Sequence, residues 1–147
     1  MNRPVILLLS GPNLDLLGER EPAVYGTATL EDHVAVARAE ANRHGFDLEH
    51  LQSASESEVV AAIHGARNRA AGIIINPAAF THYSWAIHDA LAAFEPPVIE
   101  IHLSNPNARE GWRHISVVSP VAAGTVVGFG GHGYQLAVAG LVSKLST

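Results

Sequence analysis

A doubly wound α/β domain, built on a parallel sheet of about five strands, is the fold this sequence predicts. Short apolar runs alternate with longer segments of helical period along the whole chain. The strongest of these runs, Val5–Leu9, Gly72–Ile75 and Val98–Ile101, are continuously apolar rather than alternating, as expected of strands covered by helices on both faces. No linker, repeat or low-complexity stretch interrupts the pattern, so residues 1–147 read as a single domain.

The elements follow in order. Val5–Leu9 is strand one, and Gly11-Pro12-Asn13 turns the chain sharply out of it, because glycine permits unusual dihedrals and proline holds φ. Thr29 to Asp32 has the form of a capping box, with Asp32 in place of the usual Glu or Gln. The helix it opens carries Leu30, Val34, Ala37 and Ala41 at helical spacing and stops at Gly45. Asp47–Gln52 is strand two. Ser55 caps a helix carrying Val59, Ala62, Ile63 and Ala66. Strand three, Gly72–Ile75, ends at Asn76. A helix from about Ser84 to Phe94 is closed by Pro96-Pro97, and strand four, Val98–Ile101, ends at His102. Two segments compete for strand five, Ser116–Ser119 and Thr125–Val127. The final helix begins near Gly133, with Tyr134, Ala137, Val138, Leu141 and Leu145 on one stripe.

Composition removes several function classes. With 147 residues, 48% of them hydrophobic, the chain can bury a real core. A net charge of −5 gives no support to nucleic-acid binding. The absence of cysteine excludes a thiol nucleophile, a disulfide framework and a thiolate metal site. No signal-like segment or bilayer-length apolar run occurs, so a cytoplasmic protein without membrane contact is the default expectation. The single lysine, Lys144, lies three residues from the C-terminus, a poor place for the apolar pocket that imine chemistry needs. Nine histidines include no H-x-x-x-H or H-E-x-x-H pair, so a metal site is not expected, and no G-x-S-x-G elbow marks a serine hydrolase.

In open parallel sheets, ligands bind beyond the carboxyl ends of the strands. Asn13, Asn76 and His102 follow strands one, three and four, which brings them to one edge. Thr81-His82, Ser104-Asn105, Arg109 and Arg113 lie in the neighbouring loops. Each also has a structural reading, as a turn residue, a half-buried histidine or a solvated charge. The two arginines also suit anionic or hydroxylated ligand groups.

The segment from Gly18 to Gly26 contains Arg20 and Tyr25, so a mobile loop brings a guanidinium toward a phenol. A phenol ordinarily ionises near pH 10, so ionisation at neutral pH costs about 4 kcal/mol. A guanidinium about 4 Å away, at an effective dielectric of 20, offsets about 4 kcal/mol of that. Such a loop can therefore carry a tyrosinate base. Gly128–Gly133 formally matches G-x-G-x-x-G before a helix. It falls too late in the chain for a following ribose-binding acid and reads as a tight turn with close helix packing. A nucleotide- or flavin-binding module without catalysis remains the alternative function.

These motifs, taken together and in order, resemble the type II 3-dehydroquinate dehydratases. The resemblance rests on Gly11-Pro12-Asn13-Leu14 with Gly18, Arg20-Glu21-Pro22 and Tyr25-Gly26, on Gln52-Ser53 with Glu56, and on Asn76-Pro77 with Thr81-His82. It continues through Glu100-Ile101-His102-Leu103-Ser104-Asn105, Ala108-Arg109-Glu110, Arg113 and Gly128-Phe129-Gly130. It covers essentially the whole chain. It implies a flavodoxin-like three-layer sandwich with a five-stranded parallel sheet, and dehydration of 3-dehydroquinate with neither cofactor nor imine. It also implies a homo-oligomer, a dodecamer built from trimers.

Carried over by motif, Tyr25 is the base, Arg20 its activator, Asn13 the holder of a water at the enolate oxygen and His102 the general acid. Asn76 and the backbone at Leu103 and Ser104 hold the substrate carboxylate. His82 and Arg113 bind ring hydroxyls, and Asp89 reaches the site of an adjacent subunit. Ala54, Ala78, Phe80, Tyr83, Trp85, His88 and Asn107 depart from the family's usual residues, and none of them carries an assigned chemical role.

Overall fold

The computed structural model describes residues 2–146. Its five strands form one parallel sheet in the order β2-β1-β3-β4-β5, with β1 Val5–Ser10, β2 Asp47–Gln52, β3 Ala70–Asn76, β4 Val98–His102 and β5 Gly124–Val127. A four-residue helix α1, Pro22–Tyr25, sits in the loop after β1. The other helices are α2 Leu30–Arg43, α3 Glu56–Ala66, α4 Trp85–Ala92 and α5 His132–Leu145.

The three layers follow from the period-2 alternation of the strands. Ile6 and Leu8 of β1, with Ile99 and Ile101 of β4, pack against α2 and α5. Leu7 and Leu9, with Ile73 and Ile75, face α3 and α4. Ile73, Ile74 and Ile75 are all essentially solvent-free, each contributing about 1.5–3 kcal/mol of burial. The fold is the flavodoxin-like α/β sandwich.

The caps form as expected. Thr29 Oγ1 accepts from Asp32 N–H while Asp32 accepts from Thr29 N–H, and Ser55 and Ser84 cap α3 and α4. The predicted stripe of α5 is the buried one: Tyr134, Ala137, Val138 and Leu141 are fully buried, and Leu145 packs against the core as a partly buried residue.

Two local expectations change. Of the two candidates for strand five, Gly124–Val127 pairs with β4, whereas Ser116–Ser119 does not enter the sheet. Ser116 Oγ accepts the N–H groups of Val118 and Ser119, a side-chain turn that competes with strand pairing. At Gly11 the need for glycine is space. A Cβ there would collide with the Pro77 carbonyl, and the Gly11 N–H donates to Asn76 O at 2.8 Å. The left-handed residue of the turn is Asn13, with φ 69°.

Candidate active site

The carboxyl ends of β1, β3 and β4 open into a cavity of about 190 Å³. Asn13 and Arg20 reach it from the loop after β1, and Tyr25 from α1. Asn76 and His82 come from the end of β3, while His102, Leu103 and Ser104 continue from β4. Arg109, Arg113 and Trp112, the last of which the sequence did not single out, complete the wall. A wider, open groove of about 700 Å³ lies beside it and shares Tyr25, Leu103, Ser104 and Arg109.

The Tyr25 segment is held by backbone geometry more than by packing. Gly18 (φ 93°) and Gly26 (φ 80°) bracket it in dihedrals that side chains rarely adopt, and Glu21 (φ 41°) enters the left-handed region just before Pro22 starts α1. No residue of α1 is buried. The Tyr25 hydroxyl accepts from Arg109 Nη1 at 2.8 Å, and the same nitrogen donates to Ser104 Oγ at 3.3 Å. The Arg20 guanidinium lies over the Tyr25 ring, 5.1 Å from its centroid, and pairs with Glu21 at 3.3 Å. Arg109 also approaches the ring, at 5.3 Å. Two cations therefore flank one phenol, and the hydroxyl contact belongs to Arg109.

At the opposite end, His102 Nε2–H donates to Glu100 Oε2 at 2.6 Å, which fixes the ring and leaves Nδ1 as the nitrogen able to serve a ligand. The two residues are i and i+2 on β4 and so share a face. Glu100 is fully buried. Burial would push its carboxyl up, yet hydrogen bonds from His102, Ser119 and Thr81 and the imidazole charge outweigh it and hold the group down at about 2.

Asn76 is buried with both ends engaged: Nδ2–H donates to Tyr134 Oη at 3.2 Å and Oδ1 accepts from Ala78 N–H at 3.2 Å. Burial pushes the Tyr134 hydroxyl up to about 12, against the lowering effect of the Asn76 hydrogen bond, so it stays a neutral phenol. Ala78 itself adopts φ 52°, a left-handed conformation in which only glycine would be free of steric cost. His82 Nδ1–H donates to the Ile115 carbonyl at 2.7 Å, and its ring meets Trp112 edge-on at 5.3 Å. The Arg113 guanidinium lies over the Trp112 ring, 4.0 Å from its centroid.

Asp89 is the one predicted site residue outside the cavity; its side chain is 85% exposed on α4. The Gly128–Gly133 turn packs closely: a Cβ at Gly131 would strike the His33 ring, and Gly133 lies against Ile101 and Val126. Among the described residues no cluster of three or more His, Asp or Glu is placed to hold a metal, and no helix is long and apolar enough to cross a membrane.

Glu100 and Trp112 carry no site role in the sequence, and Arg109, placed there as a candidate for anionic or hydroxylated ligand groups, instead meets the phenol. Glu100 had a signal: an acid within an apolar strand, two positions before a histidine.

An α/β sandwich whose strand ends gather a phenol, three guanidinium groups and a carboxylate-bound imidazole has the form of an acid–base enzyme. The sequence profile of the dehydroquinase class II family matches residues 4–142. The chain is 52% identical over 136 residues to 3-dehydroquinate dehydratase 2 of Pseudomonas putida, covering 92% of this chain and 91% of that one. It is 54% identical over 133 residues to a catabolic 3-dehydroquinase of Aspergillus clavatus, covering 90% and 89%. The crystal structure of a type II dehydroquinase from Propionibacterium acnes superposes with a TM-score of 0.90 at 45% identity, over 97% of this chain and 98% of that one. The chain belongs to the class II dehydroquinase family and is a hydro-lyase.

Proposed function

We propose that this cleft converts 3-dehydroquinate to 3-dehydroshikimate by anti elimination through an enolate, with Tyr25 as base and His102 as general acid. Family membership supports the substrate and the reaction. The observation that carries the mechanism is a phenol hydrogen-bonded by a guanidinium at 2.8 Å, lining the same cavity as an imidazole held by a buried carboxylate.

The Tyr25 phenolate takes the proton on C2, beside the C3 ketone. The C–H electron pair moves to the ketone oxygen, and a water held by Asn13 stabilises that enolate. When the enolate collapses, a C1–C2 double bond forms and the C1 hydroxyl leaves with a proton from His102 Nδ1. Tyr25 ends protonated and His102 neutral, and solvent restores both. Arg109 supports the phenolate through its hydrogen bond, and Arg20 adds a second positive charge at the ring. Asn76 and the backbone at Leu103 and Ser104 hold the carboxylate, while His82 and Arg113 hold the ring hydroxyls. The exposure of Asp89 fits a residue that serves the cleft of a neighbouring subunit, in a dodecamer built from trimers.

The step serves the shikimate route, and a relative named as catabolic supports a further role in quinate breakdown. The proposed place of action is the cytoplasm. Growth of ultraviolet absorbance from the conjugated enone, with purified protein and 3-dehydroquinate, tests the reading. Absence of that absorbance, or inactivation by borohydride only when substrate is present, overturns it, because the latter traps an imine.

A further inference from the structure

Glu100 is surrounded by three hydroxyl groups from two different segments. Thr81 Oγ1–H donates to Oε2 at 2.6 Å from the turn after β3, and Ser119 Oγ–H donates to Oε1 at 2.5 Å from the loop before β5. Ser116 Oγ lies 3.1 and 2.9 Å from the two carboxylate oxygens. It already accepts two backbone N–H groups, so it stands here as a donor, with the carboxylate and Thr81 Oγ1, 2.7 Å away, as the acceptors in reach. Together with His102, four donors meet one buried carboxylate, and no arginine or lysine is among them.

The flanking strand partners in the register are Ile75 and Thr125, neither of which is charged. The other charged or titratable groups on the wall of this polar pocket are Arg113, which is paired with Glu110, and His114, which binds the Arg109 carbonyl. Among the described residues, His102 is the titratable group in contact with Glu100.

Neutral donors around a buried carboxylate favour its ionised form without adding a competing cation. We propose that Thr81, Ser116 and Ser119 are positioning residues that act through Glu100, keeping the shared proton on the imidazole so that His102 meets substrate as an imidazolium rather than as a neutral ring beside a carboxylic acid. The distinction matters for the leaving hydroxyl. An imidazolium gives up its Nδ1 proton and becomes neutral, whereas a neutral ring would become an imidazolate. This inference rests on the assignment of His102 as general acid.

The test is the pH dependence of kcat in Thr81→Val, which is nearly isosteric, and in Ser119→Ala, at an exposed position where folding is least at risk. Each loses about ten- to a hundredfold in kcat, the size expected for one hydrogen bond to a charged group, with little change in KM. The acid limb of the profile moves to higher pH, and Thr81→Ser restores both. In a Glu100→Gln background, Thr81→Val costs nothing further. If His102→Asn retains kcat within about tenfold of wild type, the general-acid assignment itself fails. If His102→Asn is inactive, this inference alone is overturned by either of two results: unchanged kcat and acid limb in both hydroxyl variants, or an undiminished Thr81→Val loss in the Glu100→Gln background.

Discussion

At one end of the cleft Tyr25 stands on a four-residue helix with no buried side chain, entered through a left-handed Glu21 and left through Gly26. At the other end His102 closes a central strand and leans on a carboxylate with no solvent exposure and four donors. The imidazole end is thus organised before any ligand arrives, because moving it would break buried hydrogen bonds. The phenol end is held by one hydrogen bond, two ring contacts and partial packing of Tyr25 on the core, on an otherwise exposed segment. Such a segment can open for substrate and close over it. Placing the proposed base on the adjustable side and the proposed acid on the fixed side lets one proton donor stay aligned while the site admits a ligand.

The sharpest way to break this comparison is to remove the two proposed proton carriers. Tyr25→Phe and His102→Asn should each lower kcat by roughly 10²–10⁴-fold, the contribution of general acid–base catalysis. Substrate binding should survive both, as read by calorimetry. Near-normal turnover in either would remove that residue from the mechanism.

The next effect separates the two arginines. Loss of an aligned donor at a developing charge costs about 10²–10³-fold in kcat. Arg109→Ala should reach that range because it holds the hydroxyl, while Arg20→Ala, whose contact is with the ring, should cost less. The opposite order in steady-state kinetics would mean that Arg20 swings to the hydroxyl when the segment closes.

The fixed end has a stability signature. A carboxyl held at about 2 rather than its ordinary 4.5 stabilises the fold above the ordinary value, and that contribution fades as pH falls from 4.5 toward 2. It is worth about 3 kcal/mol. In thermal melts across this window, Glu100→Gln should show a flatter loss of stability with acid than wild type, the remaining slope coming from Glu40, which the Arg43 hydrogen bond holds down at about 2 as well. Burial disfavours the imidazolium at His33 and His50, so their destabilisation begins in a separate window as pH falls below 6.5. A wild-type acid slope in Glu100→Gln would show that the buried carboxylate is not the group titrating.

The smallest effect lies between the two ends. Ala78 occupies a left-handed conformation that costs an alanine roughly 1–2 kcal/mol. Ala78→Gly relieves this but loosens the unfolded chain, for a net gain of about 0.5–1 kcal/mol. Chemical denaturation would measure it, and a loss of stability would show that Ala78 earns its place by packing.

Much of the site was legible because parallel α/β sheets deliver their strand ends to one edge. Asn13, Asn76 and His102 were assigned to a common crevice from strand boundaries alone, and they line one cavity. Ser116–Ser119 is ambiguous in sequence because a short run of serine and valine suits a strand and a side-chain turn equally well. Only the presence of Glu100 across the loop settles which forms. Arg109 was visible as a cation near the crevice, but which guanidinium meets the phenol depends on a contact across 84 residues.

Local chemistry therefore decided the helices, their caps and the apolar strands, since hydrophobic period, capping side chains and proline act over a few residues. The resemblance of ordered motifs added the family. Which hydroxyls surround Glu100, which arginine reaches Tyr25 and why Gly11 must lack a side chain were decided only by folding. Each depends on atoms from distant segments meeting within hydrogen-bond or van der Waals distance, and no periodicity along the chain encodes that.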